Sequence, residues 1–418
     1  MLTGKLAFRQ KGTGVLPGDA DLIIPSGSTT LPSILQTKGY TTGVVGKWHL
    51  GMGKGKVDWN QEIKPNPSDI GFDYHFLMPA TGDRVPCVYV EQGKVVDLDP
   101  SDPIKVNYKE RIDRRPSGAE SKDSLKMKWS HGHDQTIVNG VSRIGWMTGG
   151  AKARWIDEDM ADVFTQHALQ FIEKNAKSPF FLYFATHDIH VPRVPHSRFA
   201  GKSGTGPRGD AMLQLDWCVG EVLRKLDDLG IADNTLILFT SDNGPVLDDG
   251  YVDEANEKLG THDPNGMFRA GKYSLFEGGT RVPMVIRWPA KIKAGQVSSA
   301  LFGQIDLTRS LAALVGAALA ESDCSDARDE LDTLLGNDAI GRPFLVHEAG
   351  GLALRQGAWK LIPAAKVRED LGPWKTATLD SPSLFDLASD PAESKNLAKQ
   401  MPDKVQEMQK LLKSIRGD

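Results

Sequence analysis

The chain has 418 residues, 40% hydrophobic and 25% charged, with a formal net charge of −4. That length is ample for a large core, and suits one big α/β unit with a smaller companion. The slightly acidic balance excludes a general nucleic-acid or anionic-membrane binder, so an anionic ligand must be held by a local cluster of positive groups.

Cys87, Cys218 and Cys324 are too few and too scattered for a disulfide framework. No stretch approaches the roughly 20 apolar residues of a membrane helix. The first residues lack the charged, apolar and small-residue blocks of a signal peptide, so none is visible.

Residues 29–40 read as a short helix on Leu31, Ile34 and Leu35, stopped by Gly39. Residues 41–46 read as a buried strand ending at Lys47-Trp48-His49. Glycine, proline and charge then dominate residues 52–150, which predict a long insertion that is mostly loop. Helical periodicity returns at Ile156, Met160, Val163, Phe164, Phe171 and Ile172. The run Phe180-Phe-Leu-Tyr-Phe-Ala is a strand suited to the middle of a parallel sheet. A second amphipathic helix covers 209–229, a strand covers 234–240, another covers 282–288, and a helix covers 304–316. This alternation predicts a doubly wound, mostly parallel sheet with helices on both faces. Beyond it, residues 318–418 read as a small antiparallel sheet closed by a helix at 402–415.

Ligand groups in doubly wound sheets gather beyond the carboxyl ends of the strands. The polar clusters at 47–49, 187–190 and 241–245 all fall at such ends. Asp242-Asn243-Gly244 offers oxygen ligands of the kind hard cations take, and equally the residues of a plain strand-to-turn junction. Lys47 and His49 lie on one side of an extended segment and can clamp an anion, or be a solvated lysine and a satisfied histidine. His187 and His190 suit a metal, acid–base work or a sheet cap; the spacing speaks against zinc. Lys272 stands in a glycine-punctuated loop, where an exposed surface lysine is the plain alternative.

Taken in order, these blocks resemble the type I (formylglycine-dependent) sulfatases of the alkaline-phosphatase-like superfamily. Gly39-Tyr-Thr-Thr-Gly-Val-Val-Gly-Lys-Trp-His-Leu-Gly is similar to the second sulfatase signature. Phe180-Phe-Leu-Tyr-Phe-Ala-Thr-His-Asp-Ile-His-Val-Pro, Thr240-Ser-Asp-Asn-Gly-Pro and Gly271-Lys-Tyr-Ser-Leu-Phe-Glu-Gly-Gly-Thr-Arg-Val-Pro resemble three further blocks. Gly357-Ala-Trp-Lys-Leu-Ile and the segment from Leu384 to Leu397 resemble the C-terminal subdomain.

The resemblance implies an alkaline-phosphatase-like α/β domain over 1–317 and an α+β subdomain over 318–418. It implies hydrolysis of a sulfate ester on a carbohydrate or aryl-type alcohol; a phosphatase or phosphodiesterase of the same superfamily is the alternative within catalysis. Asp242 and Asn243 become Ca2+ ligands, in preference to Mg2+. Lys47 and Lys272 hold sulfate oxygens, His190 assists the leaving oxygen, and His49 helps deprotonate the hydrated aldehyde nucleophile. Within the least matched region, Asp83, Arg84 and His133 are candidates for substrate recognition. The expected partner is a sulfated small molecule or glycan, with no nucleic acid and no membrane, and a periplasmic or secreted setting is expected of a full-length member.

One departure accompanies the resemblance. Leu2-Thr3-Gly4 matches the residues that follow the family's Cys/Ser-x-Pro-x-Arg motif, and that motif is absent, as is the strand bearing the first metal aspartates. Cys324-Ser-Asp-Ala-Arg328 imitates the motif without its proline and in the wrong order. The expectation is an N-terminally truncated sulfatase with no nucleophile of its own, impaired in turnover, or a non-catalytic remnant that binds sulfated ligands.

Overall fold

A computed structural model describes residues 1–371 and 375–417. Its larger sheet runs Lys94–Val95, Val90–Glu91, Tyr74–Met78, Thr41–Lys47, Phe180–Ala185 in spatial order. Thr41–Lys47 pairs in parallel on both sides, with Val44 opposite His75 and Tyr183. The helix before it is Leu31–Gln36, started by Thr30, whose hydroxyl accepts from the Ser33 N–H while Ser33 reaches back to the Thr30 N–H. It is shorter than the sequence predicts, because the chain already turns at Thr37 and reverses through Gly39.

Two glycines set how closely this strand is packed. A Cβ on Gly43 would lie 2.6 Å from the Phe171 ring, so the helix Met160–Asn175 rests directly on the strand. A Cβ on Gly46 would lie 1.9 Å from the Ala185 carbonyl oxygen, and Gly46 has φ of 113°. Only glycine permits that approach, one residue before Lys47.

The strand Ile237–Thr240 differs from its predicted place. It pairs antiparallel with Met284–Arg287, and among the described residues no hydrogen bond joins it to Phe180–Ala185. The two sheets nevertheless share an apolar layer on each face. Phe181 and Leu238 pack with Leu31, Leu35, Leu307 and Leu311, while Phe180, Leu182 and Ile237 pack with Ile172 and Leu226. They are two parts of one sandwiched layer. The helices Gly206–Asp228 and Leu307–Leu314 belong to these flanking layers. Phe180–Ala185, apolar throughout, is therefore only half-buried along its length, and Phe239 and Val285 are 36% and 60% exposed.

The region 52–150 is less of an insertion than its composition suggests. Tyr74–Met78 is an inner strand, and Phe72, Phe76, Leu77, Val85, Cys87, Val88 and Val90 are buried in the main core. Five residues carry too few periods to stand out, and His75 breaks the apolar run. The rest of the region holds two short ribbons, Lys105–Asn107 with Trp146–Thr148 and Ile137–Val138 with Val141–Ser142.

Toward the C-terminus, Leu345–Glu348, Leu352–Gln356, Trp359–Ile362 and Ser383–Asp386 form an antiparallel sheet. The helix Pro402–Arg416 covers it through Val405, Met408 and Leu412. Residues just past 318 do not join that sheet. Cys324 and Ala327 pack with Ile34, Ile305 and Ala312 of the larger unit. No helix of the described residues is long and apolar enough to cross a membrane.

A buried ion network ties the C-terminal sheet to the turn that begins at Glu277. Lys360 reaches Glu277 at 2.9 Å and Glu393 at 3.3 Å, all three with no exposed side-chain surface, and Arg355 reaches Glu277 at 3.2 Å. Burial opposes both carboxylates, yet Lys360, His347 and Arg355 hold Glu277 down at about 2, whereas burial leaves Glu393 raised. Glu277 is thus the carboxylate whose charge the network stabilises most. Lys360→Met strands that charge, so urea unfolding should show a loss of about 3–5 kcal/mol. Lys225→Met, which breaks a partly exposed pair with Glu173, should cost under about 1 kcal/mol.

Candidate active site

Lys47, His49, Asp83, Arg84, His133, His190, Asp242, Asn243 and Lys272 all line one cavity of about 530 Å3. Backbone geometry explains the convergence. Lys47 ends its strand, and His49 follows in the left-handed region with φ of 53°. The loop carrying Lys272 does the same at Ala270 and Tyr273, with φ of 59° and 71°. Non-glycine residues held there cost about 1–3 kcal/mol each, so the surrounding structure must over-determine them.

Each histidine has its tautomer set by a carbonyl. His49 Nε2 donates to the Leu16 oxygen at 2.9 Å, leaving Nδ1 as the acceptor. His190 Nδ1 donates to the Val191 oxygen at 2.8 Å, so its Nε2 lone pair faces Lys272 Nζ at 3.4 Å. Burial lowers His49 to about 4. His190 sits well below its ordinary value because it is buried beside Lys47 and Lys272. Both rings are neutral at pH 7. His187 is buried, faces the Pro192 oxygen at 3.5 Å and does not line the cavity.

The two lysines differ. Burial pushes the Lys47 ammonium down, against the pull of Asp242 at 3.8 Å. Lys272 is also opposed by burial, but Asp249 at 2.7 Å holds it above its ordinary value. Asp83, which lines the same cavity, is buried and saturated. It accepts from Thr81 Oγ1, from Arg84 Nη1 at 2.5 Å and from His133 Nε2 at 3.0 Å. Although burial works against its charge, Arg84 and His133 hold its carboxyl well below the usual range.

Asp249, Tyr273 and Glu348 also line the cavity, and the sequence reading passes over them. The pair Asp248-Asp249 closely follows Asp242 and was available as a signal. Glu348 was not, since only the fold brings the C-terminal sheet to this wall. Cys324 is buried, its thiol is raised by burial, and it is not among the lining residues.

Asp242 leaves 73% of its side chain exposed, and Asn243 spends its amide N–H on the Gly244 oxygen at 2.9 Å, which frees its Oδ1. These are hard oxygen donors of the kind Ca2+ takes, but Ca2+ takes about six to eight. No group of three His, Cys, Asp or Glu able to hold a metal occurs among the described residues. The donors fit in kind and fall short in number.

A sulfatase family profile matches residues 1–317. The chain belongs to the sulfatase family. It is 51% identical over 422 residues to an N-acetylgalactosamine-6-O-sulfatase of Bacteroides thetaiotaomicron, covering 100% of this chain and 82% of that one. Arylsulfatase A of Homo sapiens is 29% identical, over 100% of this chain and 76% of the relative. A solved structure from work on glycosaminoglycan metabolism by Bacteroides thetaiotaomicron superposes with a TM-score of 0.96 at 50% identity, over 100% of this chain and 88% of that one. The structure of PsFucS1 sulfatase from Pseudoalteromonas sp. has a TM-score of 0.72 at 21% identity and speaks for the fold alone. These relatives are sulfuric ester hydrolases, so the family activity is cleavage of a sulfate ester.

Because folding lowers His49 and His190, the unfolded chain takes up protons first, and stability declines as pH falls below about 6.5, for His49 down to about 4. In NMR titration the His49 ring should show a midpoint near 4, and His190 a midpoint well below its ordinary value. Lys47→Met removes one of the two positive charges acting on His190, so its midpoint should rise toward the ordinary value.

Proposed function

We propose that this site binds the 6-O-sulfate of an N-acetylgalactosamine residue in a sulfated glycan and belongs to a machinery that hydrolyses that ester. The observation that carries the reading is the meeting of Lys47, Lys272 and Arg84 with two neutral histidines around one cavity, in a chain half identical to a sulfatase of that specificity.

Lys47 and Lys272 hold the sulfate oxygens, where negative charge spreads as the ester bond lengthens. Fixed in place before the reaction, they cost no reorganisation during it. An anion between them offsets the two positive charges that depress His190. Its Nε2 then takes a proton more readily and delivers it to the leaving sugar oxygen. His49, with Nδ1 free to accept, takes the proton from a nucleophile.

Asp242 and Asn243 would supply two of the oxygen ligands of a Ca2+ ion, which would neutralise charge on the sulfate. Formylglycine would supply the hydrated-aldehyde oxygen, but no Cys/Ser-x-Pro-x-Arg stands within residues 1–418. The proposal for these 418 residues is therefore binding with little or no turnover. Arg84, oriented by Asp83, contacts an anionic or carbonyl group on the sugar, with His133 behind it. A polysaccharide substrate suits a periplasmic or secreted setting.

Calorimetry with N-acetylgalactosamine 6-sulfate tests this. Lys272→Ala should weaken binding at least tenfold, the scale of a lost charge-assisted hydrogen bond of about 1.5–3 kcal/mol. Arg84→Ala should weaken the sugar sulfate more than inorganic sulfate. Turnover of an aryl sulfate by the 418-residue chain should be at background; a rate typical of a sulfatase would refute the impairment.

A further inference from the structure

An anion-binding cavity gains nothing in raw affinity from a carboxylate, yet this one holds Asp249 against one of its two lysines. Lys272 Nζ donates to Asp249 Oδ2 at 2.7 Å, and the two side chains are 11% and 17% exposed. Among the described residues Asp249 Oδ1 has no hydrogen-bond partner, and it belongs to a residue that lines the cavity. The other carboxylates of the cavity are placed differently. Asp83 is saturated by three donors, Glu348 Oε2 accepts from the Phe8 N–H at 2.9 Å, and Asp242 is mostly exposed.

The loop that presents Asp249 is anchored on both sides. Before it, Arg193 donates to the Leu247 oxygen at 3.0 Å, and Asp248 accepts from Ser130 and from the Gly250 N–H. After it, Tyr251 is buried and donates to the Ser142 oxygen at 2.7 Å, and Asp253 forms a buried ion pair with Arg193 at 2.6 Å. A cavity carboxylate held this firmly is pre-organised, as a discriminating contact must be.

We infer that Asp249 makes this site selective for a sugar bearing one sulfate, by accepting a hydrogen bond from the hydroxyl neighbouring the sulfated position and repelling a second sulfate there. The inference rests on the substrate reading above. A sulfate oxygen on Lys272 lies about 2.8 Å from Nζ, so sulfate and Asp249 are both within hydrogen-bond reach of one ammonium. A ligand whose sulfate meets Lys272 therefore turns a neighbouring group toward Asp249, and on a 6-sulfated sugar that neighbour is the hydroxyl on C4. A carboxylate only accepts, so a hydroxyl satisfies it, whereas a sulfate ester brings no proton and adds like charge. Affinity given up for the correct sugar is exchanged for rejection of the wrong one.

The test is calorimetry on the full chain with N-acetylgalactosamine 6-sulfate, N-acetylgalactosamine 4,6-disulfate and inorganic sulfate. The wild-type chain should bind the monosulfate at least tenfold more tightly than the disulfate. Asp249→Asn keeps the shape and removes the charge, so the preference should fall below threefold while inorganic sulfate binds as well or better. A tenfold preference that survives in Asp249→Asn, or no preference in the wild type, overturns the inference and leaves the substrate reading standing. A sharp loss of inorganic sulfate in Asp249→Asn also overturns it, and makes Asp249 a support for Lys272 alone. If neither sugar binds the wild type although inorganic sulfate does, the substrate reading fails and takes this inference with it.

Discussion

Glu277 and the glycines around it govern the geometry of the whole site. The carboxylate is fully buried between Lys360 and Arg355, and its N–H donates to Glu393 at 2.6 Å. That fixes the turn at 277–280 against the C-terminal sheet. On the turn's other side a Cβ at Gly244 would lie 1.7 Å from the Gly278 oxygen, and the Gly244 N–H donates to the Gly279 oxygen at 3.0 Å. The segment that carries Asp242 and Asn243 is thus clamped to the loop that carries Lys272. Neither backbone could approach so closely with side chains at these glycines. A charge network some distance from the cavity therefore decides where one lysine and both oxygen donors stand.

Electrostatics inside the cavity follow from that placement. Two buried lysines and an arginine accumulate positive potential, which suits an anion and would be costly without one. The structure offsets it unequally. Asp249 sits tightly on Lys272, whereas Asp242 stands off from Lys47 and remains open to solvent. Lys47 is accordingly the more weakly compensated charge, and burial opposes it. Burial, reinforced by the same potential, keeps His190 neutral, so the proton inventory of the site shifts when an anion is bound.

The split in the central layer has a different origin. Phe180–Ala185 and Ile237–Thr240 share helices on both faces, but their facing edges are not hydrogen-bonded to each other. The polar ends of these strands still reach the cavity, because the shared layers hold them.

Much of this was legible without coordinates. The parallel strand at 41–47, the helices at 160–175 and 206–228, and the closing helix each show in their apolar periods, since burial of a face leaves a pattern in the chain. Polar groups at strand ends marked Lys47, His49, His190, Asp242 and Asn243, a glycine-punctuated loop held Lys272, and ordered blocks pointed to the sulfatases. Sequence could not show that Tyr74–Met78 is an inner strand, because a short segment with a buried histidine resembles loop. It could not show that Ile237–Thr240 pairs antiparallel, because an apolar run does not state its partner. Nor could it separate Asp83, saturated by three donors, from Asp249, which among the described residues keeps one oxygen without a hydrogen bond. The chain fixes which residues want burial and which chemistry is on hand; partners far apart in sequence are assigned only when the layers close and the packing allows one arrangement.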